Sequence, residues 1–459
     1  MRVLFATAEL APLVKVGGLA DFSAGLANVV RSHQVDVDIV LPDYGQAPFQ
    51  VGSQQELTVP KWAGPATCRQ GSLDGVGVAL ISVPGMARPN PYLDAMGEGW
   101  PDNDRRFLAF SAAVAAWAEI SKPDLLHLND WHTAGVLGYI DSPPPSVLTI
   151  HNLSYQGTTG PEWLETFNRS RDRYRRDGAT NPLAGGIALA DRVVTVSPTF
   201  AAESLHESTG FGLDDLLLGR GTAFSGILNG IDTDVWDPSR DGHLPHHYDI
   251  ESLEGKEDMR QALAAELEWR GSEVPLIGMV TRLTDQKGVD IALETAPLLE
   301  DLDVRMVLLG SGDRSLSKVS HDVAHKHPDQ FRFREGYDEG LAHRIFAGSD
   351  LYLMPSRFEP AGLTQMQAMR YGSIPVVTDV GGLHDTVTDA DLSPSDGTGF
   401  IAGEVSVSSV ADALERALVG WRSQTRRSEI IRRGMSRDWS WQIPASRYLD
   451  IYRELTSAP

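Results

Sequence analysis

A single cysteine, Cys68, stands among 459 residues. No intrachain disulfide and no cysteine-based zinc cluster can form from it, which fits a reducing compartment and sets the expectation of a cytoplasmic protein. Long apolar runs are missing too, since no stretch approaches the roughly 20 apolar residues of a membrane helix. The opening MRVLFATAEL holds only a short apolar run from Val3 to Ala8, which reads as a first buried strand rather than a secretory core. Positive charge is scarce: 40 Lys and Arg against 62 Asp and Glu leave a net charge of −22. Such a surface repels nucleic acid, whose binding is driven by cationic side chains that displace counterions from phosphate. The 44 glycines are scattered without a period, which excludes a collagen-like repeat. The expectation is a soluble globular protein with no nucleic-acid and no membrane partner.

At about 150 residues per domain the chain holds two or three domains. Short, nearly continuous runs of Val, Ile and Leu recur at Val3–Ala6, Val37–Leu41, Val78–Val83, Leu125–Leu128, Val147–Ile150 and Val193–Val196. Parallel strands covered on both faces require such unbroken runs, and the spacing leaves room for crossover helices. A second series follows at Leu276–Val280, Val304–Leu309, Leu351–Met354 and Ile374–Val377. Between the series, Asp237 to Asp249 carries two prolines and three histidines and reads as a hinge or linker. The fold class is therefore α/β, with two doubly wound domains. The first spans residues 1–238 and the second 239–437, and the helical spacing of Tyr448, Ile451, Tyr452 and Leu455 makes about 438–459 a helix returning to the first.

Open parallel sheets bind ligands beyond the carboxyl ends of their strands, and that is where the unusual residues collect. The first loop reads Lys15-Val16-Gly17-Gly18-Leu19-Ala20-Asp21; its glycines admit an anion to the backbone amides, and a tight turn with a solvated lysine is the plainer alternative. The second, Val280 to Gly288, carries Arg282 and Lys287, two cations able to converge on a diphosphate and neutralise a leaving nucleotide, or simply to face water. The third, Met354 to Thr364, places Glu359 between Phe358 and Pro360 just ahead of Gly362, a carboxylate beside an anion site or a plain helix cap. His127-Leu128-Asn129-Asp130-Trp131-His132 and Ile150-His151-Asn152-Leu153 end two apolar runs. A hydrogen-bonding role suits these better than a metal, for which no further ligand cluster exists. Asp36-Val37-Asp38 and Asp232-Thr233-Asp234 imitate a metal-binding Asp-x-Asp, but overlap a strand and a turn and are read as structural. The basic run Arg169, Arg171, Arg173, Arg175 and Arg176 reads as a solvated helix face, with a polyanion or acceptor contact as the alternative.

In order along nearly the whole chain, Lys15 to Asp21, Asp130-Trp131-His132, His151-Asn152-Leu153, Val196-Ser197-Pro198, Leu228 to Asp232, Arg282 with Lys287, Ser356 to Thr364 and Trp439-Ser440-Trp441 resemble the bacterial and plant glycogen and starch synthases. That resemblance implies a GT-B fold, two Rossmann-like domains facing across a cleft. It implies transfer of glucose from ADP-glucose to the non-reducing 4-hydroxyl of an α-1,4-glucan, glycogen or a maltooligosaccharide, with retention and with no metal or cofactor. Arg282 and Lys287 would take the diphosphate, assisted by Lys15, Gly17, Gly18, Gly362 and the amides of Leu363 and Thr364. Glu359 would steady the charge developing on the glucose; His151, Asn152 and Asn229 would hold sugar hydroxyls or the reacting centre. Asp130 would lie on the acceptor side, Asp21 and Tyr337 near the nucleoside, and Tyr92 against the acceptor. A chemistry in which the departing diphosphate takes the acceptor proton needs no protein nucleophile, so Glu359 is an electrostatic stabiliser and not half of a hydrolase pair. The sequence departs from the family at Ala361, where Cys is usual, at Ala184, where Lys is usual, in the arginine run, and at Gln367, where related transferases carry a second Glu. Two readings stay open beside the leading one: a retaining transferase using UDP-glucose or a small acceptor, and a non-catalytic glucan-binding relative. Oligomeric state and regulation are left open.

Overall fold

The computed structural model describes residues 1–45, 52–73, 75–271 and 274–457. The chain divides into two units, residues 1–230 with 441–459, and residues 231–440. Residues 458 and 459, the end of the expected returning helix, lie outside the described residues.

Apolar strands build the first unit: β1 (Arg2–Ala6), β2 (Asp36–Pro42), β3 (Ser53–Leu57), β4 (Ala66–Leu73), β5 (Val76–Ser82), β6 (Leu125–Asn129), β7 (Ser146–Ile150), β8 (Arg192–Thr195) and β9 (Phe224–Gly226). They lie in the order β9-β8-β7-β6-β1-β2-β5-β4-β3. The run from β9 to β5 is parallel, with Arg2 opposite Asp36 and Val3 opposite Leu125, whereas β4 and β3 add on antiparallel. Helices α1 (Gly18–Ser32), α2 (Asn103–Ser121) and α3 (Asp130–Ala134) follow β1, β5 and β6. On α1 the buried residues Leu19, Phe22, Leu26 and Val30 recur at helical spacing, so one stripe covers the sheet.

The second unit opens with α4 (Glu254–Glu266) and holds β10 (Leu276–Leu283), β11 (Arg305–Gly312), β12 (Phe331–Glu335), β13 (Leu351–Met354), β14 (Ile374–Thr378) and β15 (Phe400–Ala402). Its sheet runs β12-β11-β10-β13-β14-β15 and every pairing is parallel. Helix α5 (Glu339–Gly348) follows β12 and α6 (Thr364–Arg370) follows β13. The last helix, α7 (Gln442–Ser457), belongs to the first unit. There Tyr448 and Tyr452 are buried, and the Tyr452 hydroxyl lies 2.5 Å from His127 Nδ1. Among the described residues no helix is long and apolar enough to cross a membrane.

Two expectations fail here. The segment 237–249 is no linker: Leu244 and Tyr248 sit in the second core together with Ile231, which moves the division from 238 back to 230. Buried Asp241 anchors the segment by accepting from His343 Nδ1 (2.6 Å) and the Tyr371 hydroxyl (2.5 Å). The arginine run is not a helix face either. It is a 3₁₀ turn, Arg171–Tyr174, followed by a ribbon pairing Arg175–Arg176 with Ala179–Thr180. Fully buried Tyr174, stacked on Phe167 at 3.8 Å, pins the turn, and Arg176 pairs with Asp215 at 2.7 Å.

Candidate functional site

In the second unit the parallel sheet aims two loops past its carboxyl edge. Strand β10 delivers Arg282 and, through a 3₁₀ turn, Lys287; β13 delivers Ser356 and Glu359 ahead of α6. The loops are stitched together, because Arg357 N donates to Gln286 O (2.8 Å), Gln286 Nε2 to Phe358 O (3.2 Å), and the Arg357 guanidinium to Asp290 (2.6 and 2.8 Å). Gly288 makes the approach possible. It takes φ +62°, and a Cβ there would lie 1.9 Å from the Pro355 carbonyl oxygen, so no other residue fits without backbone movement.

The product of this stitching is an ion pair. Lys287 Nζ donates to Glu359 Oε2 at 2.5 Å, and the Ser356 hydroxyl donates to the same oxygen at 3.1 Å. The Glu359 carbonyl accepts from Gly382 N (2.9 Å), which fixes the backbone behind the carboxylate. A cavity of about 140 Å³ opens beside the pair, lined by Arg282, Lys287, Ser356 and Thr364 with the apolar floor of β10 and β13. Arg282 is exposed at its edge. Gly362 takes φ +64° in the turn into Leu363 and Thr364. Tyr337, just ahead of α5, is 69% exposed. The unit thus brings together Arg282, Lys287, Glu359 and Thr364, and places Tyr337 two residues beyond the edge strand β12, which β11 separates from β10.

In the first unit the glycine loop is held from below by a residue the sequence analysis passed over. Glu9, 4% exposed, accepts from Val16 N (2.7 Å) and Gly17 N (2.8 Å) through Oε2, and from the Tyr92 hydroxyl (2.8 Å) through Oε1. One carboxylate therefore ties the glycine loop to Tyr92. Its signal was modest: the first acidic residue beyond β1, at the edge where ligands bind. Lys15 Nζ pairs with Asp21 at 2.8 Å, and Gly18 opens α1.

Asp130 opens α3 in the left-handed region, φ +55°, backbone strain of the kind found where a side chain must be aimed. Its Oδ1 accepts from His151 N at 2.7 Å. Burial pushes its pKa up to about 7, opposed by amides of His151 and Asn152 and aided by the charge of Glu9. His151 is pushed down to about 3 by burial, so it is neutral. Its Nε2 lies 3.0 Å from Asn129 Oδ1, whose amide nitrogen donates to Ala6 O. Nε2 therefore carries the hydrogen and Nδ1 is the acceptor. Asn152 Oδ1 caps Ser154, and Asn229 is buried with an Oδ1 that meets no partner among the described residues. Tyr92 packs at 5.2 Å from the ring of His132, which also touches Phe107 and Trp131. This aromatic wall was not foreseen.

Of the departures from the expected pattern, Ala184, Ala361 and Gln367 are buried, whereas Arg171, Arg173 and Arg175 are exposed. Ala184 is buried and its amide donates to Asn181 Oδ1, and Ala361 is buried beneath Gly382. Asp38 pairs with Arg2, and Asp232 Oδ1 accepts from Asp234 N. Among the described residues no group of three or more His, Cys, Asp or Glu converges as metal ligands.

Residues 2–219 match the family model described as the starch synthase catalytic domain, and 266–434 match that of glycosyl transferases group 1. The chain is 39% identical to the glycogen synthase of Thioalkalivibrio sulfidiphilus and 40% identical to that of Halorhodospira halophila, covering all of both sequences in each case. Among solved structures it is similar to the catalytic domain of starch synthase IV from Arabidopsis thaliana bound to ADP and acarbose, with TM-score 0.90 and 33% identity over 100% of this chain and 99% of that one. Its likeness to a sucrose-phosphate synthase of Thermosynechococcus elongatus, TM-score 0.64 at 15% identity over the whole of both chains, is one of fold.

Proposed function

Since the chain belongs to the glycogen and starch synthase family of glucosyltransferases, we propose that it carries glucose from ADP-glucose to the non-reducing 4-hydroxyl of an α-1,4-glucan. The anomeric configuration is retained, and no metal or other cofactor takes part. The observation that carries this reading is the Lys287–Glu359 pair beside the cavity lined by Arg282, Ser356 and Thr364. Further support comes from the similar starch synthase IV structure, which binds ADP and acarbose.

The chemistry follows from charge. The bond from C1 of glucose to the β-phosphate oxygen breaks and its electron pair leaves with the diphosphate. Arg282 and Lys287 meet that charge, the role a divalent cation plays elsewhere. An ammonium has three hydrogens, so Lys287 can keep Glu359 on one and turn the others to phosphate. Lys15 and the amides of Gly18, Gly362, Leu363 and Thr364 assist, with Gly17 bringing the loop backbone close, and Asp21 and Tyr337 serve the nucleoside. Glu359 stabilises the positive charge at C1. The acceptor oxygen attacks from the face the diphosphate vacates, and its proton passes to the departing phosphate oxygen. His151, Asn152 and Asn229 hold the donor sugar, His151 offering a neutral acceptor nitrogen, while Asp130 and Tyr92 serve the acceptor.

The test is nucleotide release from ADP-glucose and UDP-glucose in parallel, with and without glycogen, using Glu359→Ala as the blank. ADP release that requires glycogen and falls about 10²- to 10³-fold in the variant is expected. Release independent of glycogen, or a preference for UDP-glucose, overturns the substrate assignment.

A further inference from the structure

Lys256 has no part in the chemistry above, yet its ammonium is buried and held by four hydrogen bonds, three of them to backbone carbonyls. It lies on α4 among charged neighbours, Glu254, Glu257, Asp258 and Arg260, a pattern that reads as a solvated face. Instead it is buried. Its ammonium donates to the carbonyls of Ala347 (3.1 Å), Ser349 (2.9 Å) and Tyr371 (2.9 Å), with the Ser373 hydroxyl at 3.3 Å. The Tyr248 hydroxyl donates to the Tyr371 carbonyl as well (2.8 Å).

These carbonyls have a common origin. Ala347 and Ser349 end α5, and Tyr371 ends α6. The last carbonyls of a helix lack intrahelical partners and carry the negative end of its dipole, so one buried ammonium satisfies and binds two helix ends at once. A second clamp joins the same helices, since Asp241 accepts from His343 on α5 and from Tyr371 beyond α6. The opposite ends of both helices bear the loops assigned to the donor: Tyr337 precedes α5, and Leu363 and Thr364 open α6.

We infer that Lys256 is a positioning residue for the nucleotide sugar: by gathering the carboxyl ends of α5 and α6 into one carbonyl cage, it sets where their amino ends present Tyr337, Leu363 and Thr364. The inference rests on the donor site proposed above. The lever is short. Seven residues of α6 span about 10 Å, so a tilt of about 5° at the cage displaces Thr364 by about 1 Å. A misplacement of that size costs up to about 10²-fold in a positioned reaction.

The experiment compares KM for ADP-glucose and for glycogen in the wild type and Lys256→Met, which keeps an apolar stem without the charge. A rise of about tenfold in the ADP-glucose KM with the glycogen KM unchanged is expected. In Lys256→Ala, methylammonium chloride refills the cage and restores the donor KM, whereas tetramethylammonium chloride at equal ionic strength, which has no N–H to donate and is too large to fit, does not. A purely structural role lowers the amount of folded enzyme and leaves KM alone. Both KM values unchanged in a folded Lys256→Met overturn the inference. If that variant does not fold, Tyr248→Phe takes its place, removing one hydroxyl from the same cage; an unchanged donor KM there overturns it equally. A wild type that does not turn over ADP-glucose fails the donor assignment instead, and ADP affinity by calorimetry then decides for Lys256: equal Kd in wild type and variant overturns the positioning role.

Discussion

Removing the Lys287 cation while leaving Glu359 in place separates what this pair does for the fold from what it does for the reaction. The Glu359 side chain is 6% exposed and that of Lys287 19%. In Lys287→Met the carboxylate keeps one donor, the Ser356 hydroxyl, and loses its counter-charge in a site that water barely reaches. Breaking a buried pair from one side typically costs about 3–5 kcal/mol, and the partial exposure of the lysine places this case near 3. Replacing both charges, in Lys287→Met with Glu359→Gln, removes the uncompensated charge, so stability returns to within about 1 kcal/mol of wild type. Activity does not return, because both electrostatic groups are gone, and stays down about 10²- to 10³-fold. Hydrogen exchange at the core amides of Leu351–Met354 under native conditions reads the second unit alone, and ADP release reads the chemistry. The reasoning is refuted if the single variant loses less than about 1 kcal/mol, or if the double variant is no more stable than the single.

Acid should unfold the first unit early. His132, His151 and His127 are all lowered by burial, the first two from 6.5 to about 3, so the unfolded chain binds protons the folded chain refuses. Their stabilisation is complete above pH 6.5 and is lost as pH falls toward 3, about 2 kcal/mol for His132 at pH 5 in thermal scans. Asp130 runs the other way. Its carboxyl, raised from 3.8 to about 7, binds a proton more tightly when folded, so it subtracts stability as pH rises from 4 to 7. Asp130→Asn should therefore exceed wild type in Tm at pH 7, and the advantage should vanish near pH 4. Glu9→Ala leaves the Val16 and Gly17 amides and the Tyr92 hydroxyl without their acceptor, which should cost about 1–3 kcal/mol of stability in the first unit and raise the KM values for donor and glucan together in steady-state assays. Gly288→Ala drives a Cβ into the Pro355 carbonyl, so turnover should fall at least about tenfold while far-UV circular dichroism stays unchanged.

What could be read in the sequence was what burial on both faces forces on a strand. Every nearly continuous aliphatic run became a strand with a parallel neighbour, because a sheet covered on both faces admits few polar residues, and those it does admit, such as His127 and Thr149, are hydrogen-bonded to one another. Strands with a different environment escaped. Ser53-Gln54-Gln55-Glu56-Leu57 is exposed along most of its length, and Phe331-Arg332-Phe333-Arg334-Glu335 alternates at a sheet edge, so neither shows an apolar run. The segment 237–249 misled for the same reason. Its prolines and histidines suggest solvent, whereas Asp241, Leu244 and Tyr248 point inward. At the site, loops with two or more unusual residues announced themselves. Glu9 and Lys256 did not, since each is a single ordinary charge whose meaning lies in backbone groups gathered from elsewhere in the chain.

That contrast bears on how a chain of net charge −22 accepts a doubly negative nucleotide sugar. In each unit one lysine assigned to phosphate is already matched with a carboxylate: Lys15 with Asp21 in the first, Lys287 with Glu359 in the second. The matching keeps the cations oriented and their charge local. Little reorganisation is then needed when a phosphate arrives, which is what makes preorganised charge effective. It also sets the salt dependence. Attraction at long range is weak in an acidic protein and is screened beyond about 8 Å at physiological ionic strength, while the short buried pair is screened much less. The donor KM should accordingly change little, by less than about threefold, between 50 and 300 mM salt. A steep rise would mean that the diphosphate is drawn in by the exposed guanidinium of Arg282 rather than seated against the Lys287–Glu359 pair.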